Sequence, residues 1–245
     1  MRIAIISGAS SGIGRSIAKS IDSLGLEELW LIGRNVERLT TLKNELKTKS
    51  RCFFIDLTDK EAIRCIADAL NGSNYEIEYL VLSAGVGYNG AFEELSLDKI
   101  ENTINVNCAS LTMLACAVLP YVSYGGKIIN IASGAGFLPQ PSFAAYAASK
   151  SYVISFSRAL RQELKLRKIK VTAVCPGPVD TEFFITLDNV KEYKKKFVIS
   201  PQKVATGAIK AVNKNKAVYT PTISMKFVHL LSKVVPTSLI LWFYK

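Results

Sequence analysis

The amino-acid sequence predicts an α/β fold in which helices cover both faces of one doubly wound parallel sheet. Short apolar runs alternate with helical patterns from residue 3 to residue 221. The apolar runs are continuous rather than alternating, as in parallel strands that are buried on both faces. No linker, low-complexity tract or internal repeat interrupts the series, so one domain is expected in this chain of 245 residues.

The predicted elements follow in strict order along the chain. Seven apolar runs are expected to be strands: 3–7 (IAIIS), 28–33 (ELWLIG), 51–57 (RCFFIDL), 79–85 (YLVLSAG), 126–133 (GKIINIAS), 170–177 (KVTAVCPG) and 217–221 (AVYTP). Six segments between them are expected to be helices: 14–24, 35–49, 60–70, 97–119, 142–167 and 201–213. This alternation of strand and helix is the basis of the predicted layer architecture.

Composition and charge limit the function classes. Nearly half of the residues are apolar, and the five scattered cysteines have no CxxC pairing, which favours a cytoplasmic protein with reduced thiols and no metal site. The net charge of +11 is concentrated in 161–170 and 191–196. Solvated helix faces would explain it, and so would an anionic partner such as a phosphorylated cofactor or an acidic membrane. No nucleic-acid-binding motif accompanies the charge.

The first strand is followed by a glycine-rich turn, SGASSGIG. Gly8 permits the tight turn, Gly12 lets the backbone approach a pyrophosphate, and Gly14 lets the helix pack closely on the strand. The free N–H groups of the helix N-terminus would face the phosphates. The turn therefore indicates a Rossmann-type dinucleotide site.

The end of the second strand indicates which dinucleotide is preferred. An acidic residue there would hold the ribose 2′-hydroxyl of NAD, but the chain has Gly33 followed by Arg34. A guanidinium can form a charge-assisted fork with the 2′-phosphate of NADP. NADP(H) is therefore favoured over NAD(H).

A tyrosine and a lysine stand one helical turn apart in the stretch AAYAASKSY. Tyr146 and Lys150 would lie on the same helix face. A phenol with a pKa near 10 is a poor acid–base catalyst at neutral pH unless its anion is stabilised. Lys150 is expected to supply the positive charge that lowers the pKa of Tyr146.

Seven short motifs in order resemble the classical short-chain dehydrogenase/reductase family over residues 3–222. The turn at 7–14 is similar to T-G-x-x-x-G-x-G, with Ser7 in place of threonine, and the segment L-S-A-G at 82–85 stands where the family has N-N-A-G. The other matches are Asp56 with Leu57, Asn107, Ser133 thirteen residues before Tyr146, the pair Tyr146 and Lys150, and the segment PGPVDT at 176–181.

The resemblance implies hydride transfer between a nicotinamide and a carbonyl carbon, with proton delivery to the oxygen. It implies four catalytic residues: Asn107, which would hold a water, Ser133, Tyr146 and Lys150. It also implies that the cofactor is bound by Gly8, Ser10, Ser11, Gly12, Ile13, Gly14, Arg34, Asn35, Asp56, Leu57, Ser83, Ala84, Gly85, Tyr146, Lys150, Pro176, Gly177, Val179 and Thr181. A small-molecule substrate and a homodimer or homotetramer are further implications. The departure at Leu82 and Ser83 puts the usual hydrogen bonds between central strands in question.

Residues 223–245 form a separate extension beyond the expected catalytic domain of 1–222. Phe227, Leu230, Leu231, Val234 and Val235 fall on one side of a predicted helix that Pro236 ends, and an apolar run follows it. The other side of this helix would carry Lys226, His229, Ser232 and Lys233. Packing on the chain or on a partner, a wall for an apolar substrate, and attachment to an anionic membrane are the three alternatives.

A carbonyl reductase with an apolar substrate is thus the expected function. Phe183, Phe184 and Phe197 follow PGPVDT, where the family places its substrate loop, and they would suit such a substrate or belong to the core. Two alternatives stay open, namely an NADP(H)-binding sensor or scaffold with little turnover and an alcohol dehydrogenase that works in the oxidative direction.

Overall fold

A computed structural model describes residues 1–185 and 197–242, without the side chains of Phe184 and Ile185. The basic stretch 191–196, the Phe184 side chain and the last three residues, 243–245, therefore lie outside the described part of the chain.

Seven parallel strands form one sheet in the order β3-β2-β1-β4-β5-β6-β7. The strands are β1 (Arg2–Ser7), β2 (Glu28–Gly33), β3 (Ser50–Phe54), β4 (Glu76–Leu82), β5 (Val122–Ile131), β6 (Lys170–Val174) and β7 (Val218–Tyr219). The chain winds outward in one direction from β1 and in the other from β4, so a crevice opens between these strands at their carboxyl ends. This order confirms the predicted doubly wound parallel sheet.

Helices cover both faces of the sheet. They are α1 (Gly12–Ile21), α2 (Val36–Glu45), α3 (Lys60–Leu70), α4 (Leu97–Ile104), α5 (Leu111–Val118), α6 (Ala144–Glu163), α7 (Glu182–Ile185), α8 (Pro201–Asn213), α9 (Ile223–Val234) and α10 (Thr237–Trp242). One core cluster joins the sheet to α3, α5 and α6, and a second joins the opposite face to α1, α2 and α8. Burial on both faces explains why the strands read as continuous apolar runs.

Helix boundaries follow local polar groups that the apolar pattern does not report. Helix α1 ends at Ile21, and the carboxylate of Asp22 just beyond it accepts hydrogen bonds from the backbone N–H groups of Lys47 and Thr48. Helix α6 begins at Ala144 rather than at residue 142, because Ser142 has φ 59°, which no α-helix accommodates. The predicted ends of these helices, Leu24 and Ser142, were therefore wrong by two or three residues.

Among the described residues, one continuous helical run is long and apolar enough by length and composition to cross a membrane. It spans Leu97–Tyr121 and comprises α4, a π-helix at Asn105–Ser110, and α5. The run packs against α3 and α6 on one face of the sheet and buries Asn107 and Ser110. We therefore interpret it as a layer helix of the domain.

Helix α9 turns a different face to the domain from the one its apolar stripe suggested. Met225 lies against Gly134 and Gly177, and His229 stacks on Phe137 with ring centroids 4.4 Å apart. Phe227, Leu230 and Val234 are instead 61 to 72 % exposed. The polar side that the sequence predicted for His229 thus contributes to the contact with the domain, because the His229 ring stacks on Phe137 and Met225 fills the space beside two glycines.

Candidate active site

A cavity of about 850 Å³ lies at the carboxyl ends of β1, β4, β5 and β6. Eighteen of the predicted site residues line it: Gly8, Ser10, Ser11, Gly12, Ile13, Arg34, Asp56, Leu57, Ser83, Ala84, Gly85, Ser133, Tyr146, Lys150, Pro176, Gly177, Val179 and Thr181. Gly14, Asn35 and Asn107 are not among the lining residues. The fold thus gathers groups from separate strand ends into one crevice, as the sheet topology requires.

The glycine turn after β1 leaves no room for side chains. Gly8 has φ +65°, and a Cβ built on it would lie 2.8 Å from the backbone nitrogen of Ala84. A Cβ on Gly14 would collide with the carbonyl of Gly8. Ser11 stands at the N-cap of α1 but makes no side-chain capping hydrogen bond there. The first N–H groups of α1 consequently face the cavity without a capping side chain, which suits an anion.

Ser7 supplies a link between the central strands. Its buried hydroxyl accepts hydrogen bonds from the backbone N–H groups of Ser83 and Ala84, with N···O distances of 3.0 and 3.3 Å. Leu82 is buried in the core, so the LSAG segment needs no side-chain amide to join β1 and β4. The backbone approach along Ala84 and Gly85 is therefore intact.

The polar groups at the far end of the cavity are exposed. The guanidinium of Arg34 lies 3.4 Å from the carboxylate of Asp56, and the two side chains are 65 and 44 % exposed. Partial burial would raise the pKa of Asp56, but hydrogen bonds from Thr58 and the Arg34 charge lower it. Asn35 caps α2 by accepting a hydrogen bond from the backbone of Arg38. Its side chain is thus used within α2 rather than in the cavity.

Tyr146 and Ser133 meet at the inner end of the cavity. Burial raises the pKa of Tyr146 to about 12, against a smaller lowering by its hydrogen bond with Ser133. The Ser133 hydroxyl also accepts a hydrogen bond from the backbone N–H of Ala135. The expectation that Lys150 lowers the pKa of Tyr146 is wrong for the chain without cofactor. Desolvation of the buried phenol dominates and raises this pKa.

Lys150 is nearly fully buried beside the tyrosine. Its Nζ donates to the carbonyl of Ile131 at 3.1 Å and lies 5.6 Å from the Tyr146 ring centroid. Burial lowers the pKa of Lys150 from 10.5 to about 8. The ammonium is therefore retained at neutral pH but is lost readily in mild alkali.

Asn107 is buried behind this pair in the π-helix. Its Nδ2 donates to the Val86 carbonyl and to Ser149 Oγ, and its Oδ1 accepts from the Val86 N–H. The side-chain amide is thus engaged in fixing the segment that follows β4. A π-helix at this position agrees with the frequent use of such turns at functional sites.

Aromatic rings surround Tyr146 on both sides. Phe143 stacks on its ring at 4.3 Å, and Phe183 lies at 5.3 Å between centroids. Gly87 permits this packing, since a Cβ on it would lie 2.5 Å from Tyr146 Cδ2 and 3.0 Å from Phe183 Cζ. The phenol is held in one orientation by these contacts.

The segment 176–181 folds over the glycine turn. The methyl carbon Cγ2 of Thr181 would lie 3.1 Å from a Cβ on Gly12, and the Thr181 hydroxyl donates to the Val179 carbonyl. The described part of the following loop returns with Phe197, which also lines the cavity. The segment therefore forms the outer wall of the crevice.

Several lining residues were missed by the sequence reasoning. They are mainly apolar side chains of the cavity lining: Val86, Leu138, Phe143, Met225 and Val228. Phe143 lies three residues before Tyr146, and this spacing is the one signal that could have found it. Met225 and Val228 come from α9 and are far from the site along the chain.

Comparison with known proteins assigns the family. The short chain dehydrogenase family model matches residues 2–192. A short-chain dehydrogenase from Sphingobium yanoikuyae in complex with NADPH superposes with a TM-score of 0.81 at 28 % identity, covering 94 % of this chain and 92 % of the other. The bulky-bulky ketone specific alcohol dehydrogenase from Comamonas testosteroni gives 0.78 at 26 % identity, with coverages of 94 and 90 %.

A curated relative adds a sequence match. Sulfoacetaldehyde reductase 2 from Chromohalobacter salexigens is 34 % identical over 187 residues, which are 74 % of each chain. Together with the glycine turn and the parallel sheet, these similarities show that the chain is an oxidoreductase of the short-chain dehydrogenase family.

Proposed function

We propose that this protein reduces an apolar ketone or aldehyde to an alcohol with NADPH, with Tyr146 as the general acid. The observation that carries the proposal is a buried phenol, hydrogen-bonded to Ser133 and one helical turn from a buried ammonium, at the inner end of a large crevice. A carbonyl oxygen in this crevice would receive the phenol proton as a hydride reaches its carbon.

Burial of Tyr146 favours the reductive direction. With its pKa raised to about 12, the phenol keeps its proton throughout the neutral range. Reduction needs a proton donor, whereas oxidation of an alcohol needs the phenolate as base. The unliganded chain is thus prepared for proton donation.

Ser133 and Lys150 support the same step. The Ser133 hydroxyl can donate to the substrate oxygen while it accepts the N–H of Ala135, and so stabilise the developing negative charge. The Lys150 ammonium, in surroundings of low polarity, stabilises the phenolate that remains after proton transfer. Asn107 fixes the neighbouring segment, and we retain it as a member of the catalytic set in this positioning role.

The residues present fit a nicotinamide dinucleotide. The turn at Gly8 and Gly12 offers backbone without side chains, and α1 offers uncapped N–H groups to a pyrophosphate. Lys150 and the segment from Pro176 to Thr181 lie where they would hold the nicotinamide riboside. Ser10, Ser11, Ile13, Leu57, Ser83, Ala84 and Gly85 would line the remaining length. When bound, the cofactor supplies the hydride.

Arg34 supports a preference for the phosphorylated cofactor. It is exposed at the far end of the crevice, and its ion pair with Asp56 is a long one of 3.4 Å, so its guanidinium can turn to a 2′-phosphate. Gly33 introduces no carboxylate that would repel the phosphate. The Sphingobium relative binds NADPH, which agrees with this proposal.

The apolar side chains that line the crevice support an apolar substrate. Leu138, Phe143, Phe183, Met225 and Val228 contribute apolar side chains, and Arg34 and Lys150 are the only cationic side chains among the described lining residues. Within the described part of the chain, Lys150 is the one cation of the lining beside Tyr146 that could hold a small anion such as sulfoacetaldehyde, the substrate in the name of one relative. Bulky ketones, named for another relative, suit this lining better.

The test is NADPH consumption by the purified protein with a panel of apolar ketones and aldehydes and with sulfoacetaldehyde. Tyr146→Phe should lower kcat by roughly a hundredfold to ten-thousandfold, because general acid catalysis contributes on that order. Tyr152→Phe, an exposed tyrosine on the same helix, is the matched control and should retain activity. Full activity of Tyr146→Phe would contradict the mechanism.

The two alternatives give different results in the same assay. A sensor or scaffold would bind NADPH without turnover of any carbonyl. An oxidative alcohol dehydrogenase would convert alcohols with NADP faster than it reduces the corresponding ketones at neutral pH. Tighter binding of NADH than of NADPH would contradict the cofactor assignment.

The compartment and the assembly are also inferred. All five cysteines are free thiols, and burial raises the pKa of Cys52, Cys108 and Cys175, which suits the reducing cytoplasm. A homodimer or homotetramer is inferred from family membership, and analytical ultracentrifugation measures it.

A further inference from the structure

Two short helices, α9 and α10, expose several large apolar side chains. The outer stripe, as we call it, consists of residues on α9 and α10 that are 52 to 82 % exposed: Ile223, Phe227, Leu230, Val234, Leu239 and Trp242. The four members on α9 follow the spacing i, i+4, i+7, i+11, so they form one line along the helix. An exposed apolar line of this kind along α9 is typical of an interaction site.

The outer stripe is not the face that holds α9 on the domain. Met225, Val228, His229 and Ser232 are partly buried, and at 100° per residue they lie half a turn around the helix from the stripe. Met225 and His229 make the contacts to Gly134 and Phe137. The helix is thus docked through its inner face, whereas Phe227, Leu230 and Val234 on its outer face stay exposed.

The charged side chains of α9 are of one sign. Lys226 and Lys233 are exposed on one flank of α9. Beyond Glu192 the sequence has ten lysines and no aspartate or glutamate up to residue 245, out of a net charge of +11 for the chain. The surface that complements this segment is therefore both apolar and anionic.

We propose that α9 and α10 dock the protein on the surface of a bilayer that contains acidic phospholipids. The helices would lie in the interface plane, with Phe227, Leu230 and Val234 in the acyl boundary and the lysines at the headgroups. Trp242 would lie at the depth that tryptophan favours in membranes. Neither helix is long enough to cross a bilayer, since α9 has 12 residues and α10 has 6.

A second copy of the chain fits the stripe less well. A two-fold dimer would bring the same patch onto itself. Lys226 and Lys233 of the two copies would then approach each other around an apolar seam, and the segment offers no acidic residue to separate them. The like charges oppose this pairing, whereas an anionic lipid surface satisfies them.

Docking would place the crevice close to the lipid. Met225 and Val228 line the crevice from the inner face of the same helix whose outer face carries the stripe. The crevice would then lie about one helix diameter, roughly 10 Å, from the acyl boundary. The consequence that an apolar carbonyl compound enters from the membrane rests on the proposed function, whereas the docking itself does not.

The experiment is flotation of the full chain with vesicles of phosphatidylcholine alone and of phosphatidylcholine mixed with phosphatidylglycerol. The wild type should float with the mixed vesicles and much less with the neutral ones. The triple variant F227S/L230S/V234S should lose binding. The double variant K226Q/K233Q should bind roughly thirty-fold more weakly, because each lysine near an anionic surface contributes about 1 kcal/mol.

Matched controls separate the stripe from general surface effects. Leu166→Ser removes a side chain that is 91 % exposed on another part of the surface, and K43Q/K60Q removes two exposed lysines elsewhere. Both should float as the wild type does. Circular dichroism and the melting temperature verify folding, and the single variant Phe227→Ser, with an intermediate loss, replaces the triple variant if that one unfolds.

Two results would overturn the proposal. One is wild-type flotation that does not depend on phosphatidylglycerol or that survives in the triple serine variant. The other is an oligomer in ultracentrifugation that the serine substitutions dissociate, which would assign the stripe to a second copy. Neither result bears on NADPH consumption in the absence of lipid, so failure here is distinguishable from failure of the proposed function.

Discussion

The two ends of the crevice use charge in opposite environments. At the inner end Lys150 is 4 % exposed, and burial lowers its pKa to about 8. At the outer end the charges of Arg34 and Asp56 are largely in water, and their contact is loose at 3.4 Å. Buried groups have fixed positions and altered protonation, whereas exposed groups keep their charge and can turn. The first environment suits proton transfer and the second suits selection among cofactors.

After the loss expected for Tyr146→Phe, the largest effect at the inner end is expected from Gly87, which carries no side chain. In Gly87→Ala the new Cβ would press on the Tyr146 and Phe183 rings, so the phenol must move. Displacement of a catalytic group by about 1 Å can cost roughly a hundredfold in rate, and we expect kcat to fall on that order while NADPH binding is retained.

Steady-state kinetics and NADPH titration measure this change. Gly72→Ala is the control, because its Cβ meets no atom and any loss there reflects backbone conformation alone. An unchanged kcat in Gly87→Ala would mean that the orientation of Tyr146 does not depend on this packing.

The expected effect at the outer end is on preference rather than rate. Arg34→Gln removes a charge-assisted hydrogen bond to a 2′-phosphate, which contributes about 1.5 to 3 kcal/mol. NADPH binding should weaken by roughly ten- to a hundredfold, and NADH binding should hardly change. Arg38→Gln removes a nearby cation that is paired with Glu182, and a much smaller effect is expected. Equal losses for both cofactors in Arg34→Gln would contradict the assignment.

The smallest of these effects is expected in the pH dependence of kcat/KM. If the Lys150 ammonium supports proton transfer, kcat/KM for reduction should fall about tenfold per pH unit above pH 8, where the folded protein loses this charge. A profile that is flat to pH 10 would contradict the role of Lys150.

Deprotonation of Lys150, which should lower activity, should by itself raise the free energy of unfolding. Between pH 8 and 10.5 the lysine is deprotonated in the folded chain and still protonated in the unfolded chain, so the unfolded state binds more protons. Lys150 should therefore raise the free energy of unfolding with pH in this window. The cysteines whose pKa burial raises, Cys175 above all, oppose this rise, because their thiols ionise first in the unfolded chain. Denaturant unfolding of the wild type and of Lys150→Met measures the difference.

Much of the fold and of the crevice is predictable from local pattern. The strands were identified because their apolar runs are buried on both faces, and the glycine turn because Gly8 and Gly14 leave no space for a Cβ. Helix ends were less predictable, since Asp22 acts through hydrogen bonds to a segment 25 residues away and Ser142 through one dihedral angle. The apolar wall from Phe143, Met225 and Val228 carries no motif, because any large apolar residue can fill such a position.

The two faces of α9 show most clearly what the sequence determines and what the tertiary structure determines. The sequence by itself determined that residues 225–235 form a helix with an apolar stripe, because that follows from spacing. Only the tertiary structure decided that the opposite face packs on the domain, because Gly134 and Gly177 leave a groove for Met225 and Phe137 offers a surface to His229. Likewise the sequence paired Tyr146 with Lys150, but burial, a property of the whole fold, set their protonation.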